Sequence, residues 1–481
     1  MNLSEYTSHD ATSLARLVKQ GEVTPAELAA LARLAFEKVD PAINAVIEFY
    51  PDAESVSGPL DGAFAGVPFL RKDVGATEAG RLQECGSRLL KGNVSAHDSY
   101  FTRRAKAAGL RIVGRSAVPE FAFAGFTETI LEGITRNPWN LDASAGGSSG
   151  GAAAAVAAGI VPIAHASDGG GSIRIPAGWC GLIGLNPSRG RISGGPDNQD
   201  SLFGLARGFV VCKTVRDMAV ALDVFSGAEP GDPFVIQRPE RHYAEELTRP
   251  TGKLRVGLAR TAWGHMPIAG DVLTVLDETA ALLTAMGHSV EEIGSPVNPH
   301  DIRTGLMGGF CLGLATLPAL AATLGRPLDD TTLEPVLLKL MHQTLAMTPA
   351  EIVNIFETLR RIRHDVALAT AGYDILLTPT TPVTAPEHGL LSTTRSDLSA
   401  AEFSDGDTTL FTFLGTFNAT GQPSVSLPLG LARNHMPIGI QVVGRFGDEA
   451  TLVRIARDLE EARPWSGMLP PVHASRYDHG G

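Results

Sequence analysis

Ser148 and Ser172 sit in glycine-rich turns on either side of an alanine-rich run. The first turn reads Gly146-Gly147-Ser148-Ser149-Gly150-Gly151, the second Asp168-Gly169-Gly170-Gly171-Ser172-Ile173-Arg174-Ile175-Pro176. Glycines around a serine let the backbone come close to another group and take angles that a side chain forbids. A serine hydroxyl is a weak nucleophile until a neighbour takes its proton. Gly169, Gly170 and Gly171, directly before Ser172, allow successive backbone N–H groups to converge on one point. An oxyanion hole for a tetrahedral intermediate requires such convergence, with the Ser172 N–H as a further donor. Neither turn is a phosphate loop, because no Lys-Ser or Lys-Thr follows, and neither has the strand-first context of a dinucleotide fingerprint.

The segments that must hold these turns read as alternating strands and helices. Ala152 to Ala158 offers no polar face and is expected as a buried, close-packed helix. The first forty residues read as two helices, with Thr24-Pro25-Ala26-Glu27 a capping box carrying proline at the first helical position. Short apolar strands are expected at Gly66 to Asp73, which ends in charge, and at Leu110 to Gly114, Leu254 to Leu258, His288 to Ile293, Pro423 to Leu429 and Met436 to Val443. Helices are expected over Asp271 to Met286, Ile352 to Ala371 and Glu449 to Ala462. Arg136-Asn137-Pro138-Trp139-Asn140 reads as a structural turn, and His165, Cys180 and Cys212 as packed core. Alternation of this kind argues for an α/β fold with a large covered sheet.

The chain has 481 residues, 44% apolar and 19% charged, with a net charge of −12. That composition is ordinary for a globular enzyme and far from disorder. No basic stripe stands out, so nucleic acid and anionic membrane are not expected partners. No uninterrupted apolar stretch reaches membrane-spanning length, and no secretory signal is indicated. The four cysteines (Cys85, Cys180, Cys212, Cys311) are scattered, which fits a reducing cytoplasm. The thirteen histidines show no metal-binding spacing, so no metal or other cofactor is expected.

Gly146 through Pro176 resembles the amidase signature family. The resemblance extends to Gly66-Val67-Pro68 with Lys72-Asp73 upstream, and to Cys180-Gly181, Gly184-Leu185, Asp374 to Pro379 and Gly421-Gln422-Pro423 downstream. It implies an α/β/α fold with a large, mixed, twisted sheet covered by helices. Residues 1–470 would form one domain, with a helical segment at 1–60, a catalytic core at 61–225 and a variable pocket region at 300–350, followed by a loose tail at 471–481. The resemblance also implies a Ser-Ser-Lys triad: Ser172 as the acylated nucleophile, Ser148 as a bridging serine on a cis peptide, and Lys72 as the base. Asp168 and Arg174 would pair to hold the turn, and Ser149 would help to shape it. Elementary chemistry fits these roles. A lysine is a base only when neutral, and burial lowers its pKa. The apolar approach from Val67 to Leu70 suits a buried Lys72, with strand alternation directing Arg71 and Asp73 away from it. A homodimer is also implied.

For the substrate, Phe121, Ala122 and Phe123 fall where the family shapes the acyl side, and Trp179 is placed to wall the pocket. The stretch around Met307, Phe310 and Cys311 resembles the region that sets substrate preference. An uncharged apolar lining favours small neutral amides: aliphatic, aryl or cyclic. Gly190-Arg191-Ile192-Ser193 and Val215-Arg216-Asp217 are loosely similar to hydrolases of cyclic aminohexanoate oligomers. The glutamine-dependent transamidation subunit of the family is expected to carry Tyr-Asp-Gly-x-Arg-Tyr-Gly, and no such stretch occurs here. Carbamate or ester cleavage is chemically adjacent, and a silent scaffold would be the non-enzymatic alternative. One departure stands out: Gly184-Leu185-Asn186-Pro187-Ser188 replaces the family's Gly-Leu-Lys-Pro-Thr, which puts local packing or a salt bridge in doubt.

Overall fold

In the computed structural model, which describes residues 1–261, 263 and 266–477, eleven strands build one mixed sheet. In chain order they are β1 (Val46–Phe49), β2 (Pro68–Lys72), β3 (Arg111–Ser116), β4 (Ile163–Asp168), β5 (Ile183–Asn186) and β6 (Arg207–Cys212). They continue with β7 (Arg255–Leu258), β8 (Ser289–Glu292), β9 (Ile375–Pro379), β10 (Ser424–Leu431) and β11 (Pro437–Gly444). Their order across the sheet is β1-β3-β2-β4-β6-β5-β10-β11-β9-β7-β8. β3, β2 and β4 run parallel, whereas β4, β6, β5, β10, β11 and β9 alternate in direction. Every residue of β2, β3, β9 and β11 is buried, because helices cover both faces and leave no solvated side. The fold is the α/β arrangement expected from the sequence.

The N-terminus corrects one expectation. Three helices precede β1, not two: α1 (Leu3–Ser8), α2 (Ala11–Gln20) and α3 (Pro25–Ile43). The break falls at His9-Asp10, where extended backbone lets the Asp10 carboxylate accept from the Ser13 N–H and start α2. The capping box at Thr24 and Glu27 is present as read. β1 falls within the first sixty residues, so that segment is not wholly helical.

The tail is corrected too. Val472 and Ala474 donate backbone hydrogen bonds to Pro138 and Ala158, and Trp465 is buried, so the chain is held through Tyr477. Residues 478–481 lie outside the described residues.

The alanine run forms α4 (Gly150–Ala157), with all eight residues buried. It is followed by β4, the second serine turn and α5 (Arg174–Cys180). Later helices are α6 (Pro335–Leu345), α7 (Pro349–Thr370), α8 (Ala400–Leu410), α9 (Gly415–Thr420) and α10 (Glu449–Ala462). The Arg136–Asn140 turn is a β-ribbon corner in which the Asn137 side chain accepts from the Trp139 N–H.

One helical run, Pro299–Leu324, is long and apolar enough to cross a membrane by length and composition alone. It is the exception to the sequence reading that no apolar stretch reaches that length. A π-turn over Arg303–Met307 interrupts it, and Leu306, Phe310, Leu314, Leu317 and Leu320 face internal cavities, which accounts for its apolarity.

Candidate active site

Strand β2 ends on Lys72, which is fully buried, and its Nζ donates to Ser148 Oγ at 2.7 Å and to Ser167 Oγ at 2.9 Å. Burial lowers the Lys72 pKa to about 7, against weaker upward pulls from Asp168 and Cys85. Its strand neighbours face elsewhere, as alternation requires. Arg71 donates to the Tyr50 hydroxyl at 2.9 Å and to Gln83 at 2.7 Å, while Asp73 pairs with Arg115 at 3.2 Å. Ser167 was not legible as a partner from sequence. Its signal is its place on β4 directly before Asp168, beside parallel β2.

The peptide before Ser148 is cis, as the resemblance implied. Gly147 has no room for a side chain, since a Cβ there would meet the Phe126 amide nitrogen at 2.6 Å. Ser149 joins the two turns. Its hydroxyl accepts from the Ser167 N–H and donates to the Ser167 carbonyl, each at 3.3 Å, and its N–H donates to the Ser172 carbonyl at 3.3 Å.

The second turn is organised around a buried ion pair. Asp168 and Arg174 have no exposed side-chain surface and meet at 2.9 Å. The Asp168 carboxylate also accepts from the N–H groups of Gly171 at 2.7 Å and Ile173 at 3.1 Å, and from Asn418 Nδ2 at 2.9 Å. Burial alone would raise this carboxyl. The Arg174 guanidinium, Asn418 and the turn N–H groups outweigh it and hold the carboxyl well below the usual carboxylate range.

This network corrects the triglycine reading. The Gly171 N–H is committed to Asp168, whereas those of Gly169, Gly170 and Ser172 have no acceptor among the described residues. Gly171 has φ +135°, and a Cβ there would meet Leu414 at 2.6 Å and Ile175 at 2.9 Å. Gly171→Ala should therefore lower stability by about 1–3 kcal/mol. Tilting its neighbours' N–H groups should also cut kcat/KM by roughly 10²-fold. Thermal melts and steady-state kinetics on one preparation check both, and a variant that matches the parent in both refutes the tight turn.

Ser148, Ser167, Gly169 and Ser172 open on a cavity of about 340 Å³. No hydrogen bond joins Ser172 Oγ to Ser148 Oγ among the described residues, and catalytic contacts of this kind often tighten only when substrate is bound. Phe121, Ala122 and Phe123 line the cavity, as expected. Trp179 and Cys311 do not. Trp179 lies behind the wall, its indole N–H on the Thr381 hydroxyl at 2.9 Å and its ring against Phe126 and Phe411. Cys311 is buried and lines neither chamber at Ser172, its thiol lying against Thr344.

Sequence reasoning missed Leu202 of the main cavity, whereas Leu317 and Leu320 fall within the expected pocket region at 300–350 without being singled out there. It missed a smaller chamber of about 40 Å³, also reached from Ser172 and Gly170, where Phe411 and Asp407 stand. Non-glycine residues in left-handed backbone flank the main cavity: Phe121 (φ 51°), Ala122 (φ 58°), Leu202 (φ 50°) and Phe203 (φ 57°). Such conformations cost of order 1–3 kcal/mol each and cluster at functional sites. His165, read as core, is buried against Phe101, and its ring also borders the cavity. The departure at Asn186 is filled differently: its Oδ1 accepts from Arg207 Nε at 3.0 Å.

The amidase family model matches residues 28–453. A 6-aminohexanoate-cyclic-dimer hydrolase from Paenarthrobacter ureafaciens is 36% identical over 480 residues, spanning 96% of each chain. The solved structure of a 6-aminohexanoate cyclic dimer hydrolase complexed with substrate superposes with a TM-score of 0.91 at 34% identity, covering 97% of this chain and 99% of that one. A bacterial aryl acylamidase structure gives a TM-score of 0.84 at 27% identity, covering 96% and 97%.

Proposed function

The chain belongs to the amidase signature family, enzymes that hydrolyse amide bonds, and we propose that it does so through a covalent acyl-enzyme on Ser172. The observation that carries this reading is the 2.7 Å contact between Ser148 and a wholly buried Lys72 whose pKa burial lowers to about 7. Ser172 Oγ attacks the amide carbonyl and passes its proton to Ser148, which passes its own to neutral Lys72 Nζ. The N–H groups of Gly169, Gly170 and Ser172 take the developing oxyanion. Lys72 returns the proton through Ser148 to the departing nitrogen, and the C–N bond breaks as the Ser172 ester forms. Water then attacks the ester along the same relay, releasing the acid.

The substrate class follows from the walls. Phe121, Phe123, Leu202, Phe310, Leu317 and Leu320 present hydrocarbon to whatever binds at Ser172. Arg189, Arg207 and Asp232 also border the cavity, against the expected uncharged lining, with their charged ends held by the Gly204 carbonyl, Asn186 and Ser193. Neutral amides with aliphatic, aryl or cyclic acyl groups fit that lining. The likeness to cyclic-dimer hydrolases favours cyclic and aliphatic amides, and the aryl acylamidase likeness supports aryl amides as the second reading.

A fluorophosphonate probe tests the chemistry: labelling should map to Ser172 in folded protein, and its absence sinks the acyl-enzyme. A panel of cyclic, aliphatic and aryl amides, carbamates and glutamine, ranked by kcat/KM, tests the substrate class. Cyclic or aryl amides should lead and glutamine should not turn over.

A further inference from the structure

The small chamber beside Ser172 is walled by Phe123, Ile175, Leu306, Met307, Phe310 and Phe411, and one carboxyl, that of Asp407, stands among them. We propose that Asp407 is a specificity-determining residue, its carboxylate accepting from a nitrogen donor, ammonium or amide N–H, on a slim aliphatic chain of a substrate bound at Ser172. This deepens the amide-hydrolase reading and rests on it.

Asp407 accepts one backbone hydrogen bond, from the Gly125 N–H, which leaves most of the acceptor capacity of a carboxylate free to meet a ligand. Among the described residues no cationic side chain pairs with it, and the Gly125 N–H is the group that favours its charge. Arg303, on the neighbouring π-turn, is already paired with Asp405 at 2.5 Å. Helix α8 is started by the Ser399 and Glu402 capping box, so Asp407 does not cap it. It stands instead in the last turn, where the helix dipole disfavours a negative charge. Hydrocarbon neighbours disfavour it further, and desolvation raises the carboxyl to about 7. Both costs are relieved by a donor entering the chamber, and a charge-assisted hydrogen bond in such surroundings is among the stronger contacts a ligand can make. A volume of about 40 Å³ admits a thread of a few atoms and excludes a ring. The larger cavity, which shares Phe123, Ser172 and Phe310 with this chamber, leaves room for the rest of the substrate.

The test uses three alkyl fluorophosphonates of equal chain length, ending in a methyl, an ammonium or an acetamido group. Their second-order rates of labelling at Ser172 are measured on the parent protein and on Asp407→Leu and Asp407→Asn. The parent should label faster with a nitrogen-ended probe than with the methyl-ended one, by roughly 10- to 100-fold. The ratio of ammonium to acetamido probe identifies the donor. Asp407→Leu should erase the preference, keep or raise the methyl-probe rate, and melt no lower than the parent, since it removes a desolvated carboxyl. Asp407→Asn, the milder change, should keep part of the acetamido rate and lose the ammonium preference. Equal rates for all three probes on the parent, or a preference that survives both variants, overturns the assignment. No labelling by any probe overturns the Ser172 reading, and this one with it.

Discussion

Lys72→Met should lower amide turnover by about 10⁴-fold while leaving the melting temperature within a few degrees of the parent's. The catalytic figure is the upper range for loss of a general base. The thermal figure follows from opposed terms. Methionine leaves the Ser148 and Ser167 hydroxyls without the Nζ that now donates to both. Each unmet hydroxyl costs about 1–3 kcal/mol. Against this, the variant no longer carries a desolvated ammonium into the core. The folded lysine titrates at about 7 instead of 10.5, so below neutral pH its burial opposes folding. The unfolded chain binds the extra proton between those values, and stability therefore rises with pH across that window. Urea titrations of the parent should show that rise, and those of the methionine variant should be flat in this respect. The parent's kcat/KM should climb with pH through an apparent pKa near 7 as Lys72 loses its proton. A methionine variant that keeps the parent's rate would remove Lys72 from the mechanism.

Arg174→Met should behave in the opposite way, destabilising the fold by about 3–5 kcal/mol and abolishing activity with it. Asp168 would then be a buried carboxylate held by backbone N–H groups and Asn418 alone. The guanidinium also reaches Gln441 at 2.7 Å and the Leu414 carbonyl at 3.1 Å, so its loss loosens α9 from β11. The double variant Asp168→Asn/Arg174→Met should recover part of the lost stability, because no uncompensated charge remains, and none of the activity. Urea midpoints for the three proteins decide the matter. Parent-like stability in the single variant would mean that the pair is not what holds the turn.

The roles of Ser148, Ser172 and Lys72 were legible through the family resemblance that the two glycine-serine turns carry, since Lys72 taken alone reads as a surface lysine. The triglycine before Ser172 and the apolar strand leading to Lys72 agree with those roles without establishing them. What the sequence hid depends on tertiary contact. The Gly171 N–H looked like its neighbours' until Asp168, three residues earlier, claimed it. Trp179 and Cys311 have the composition of pocket walls but lie one layer behind, because apolar character does not say which layer a side chain occupies. Asp407 belongs to no motif, and only the docking of α8 on the π-turn brings it beside Ser172. The missed break at Asp10 has a local cause: a single cap between two short helices is a weaker mark than the reciprocal box at Thr24.

Helix α4 sets a limit on how this protein can change. Seven of its eight residues end at Cβ or lack one, and a Cβ on Gly151 would lie 2.4 Å from the Ala117 nitrogen and 2.6 Å from the Ala45 carbonyl oxygen. Side chains this short lose almost no rotamer freedom on folding and have no alternative rotamers to hop between. The spacing of the two serines is therefore governed by backbone alone, much as a gauge block fixes a gap. Pocket walls can drift and the acyl preference with them. A single added methylene along α4 would push the serines out of register, so variation in this enzyme should reach its substrate long before it reaches its spacer.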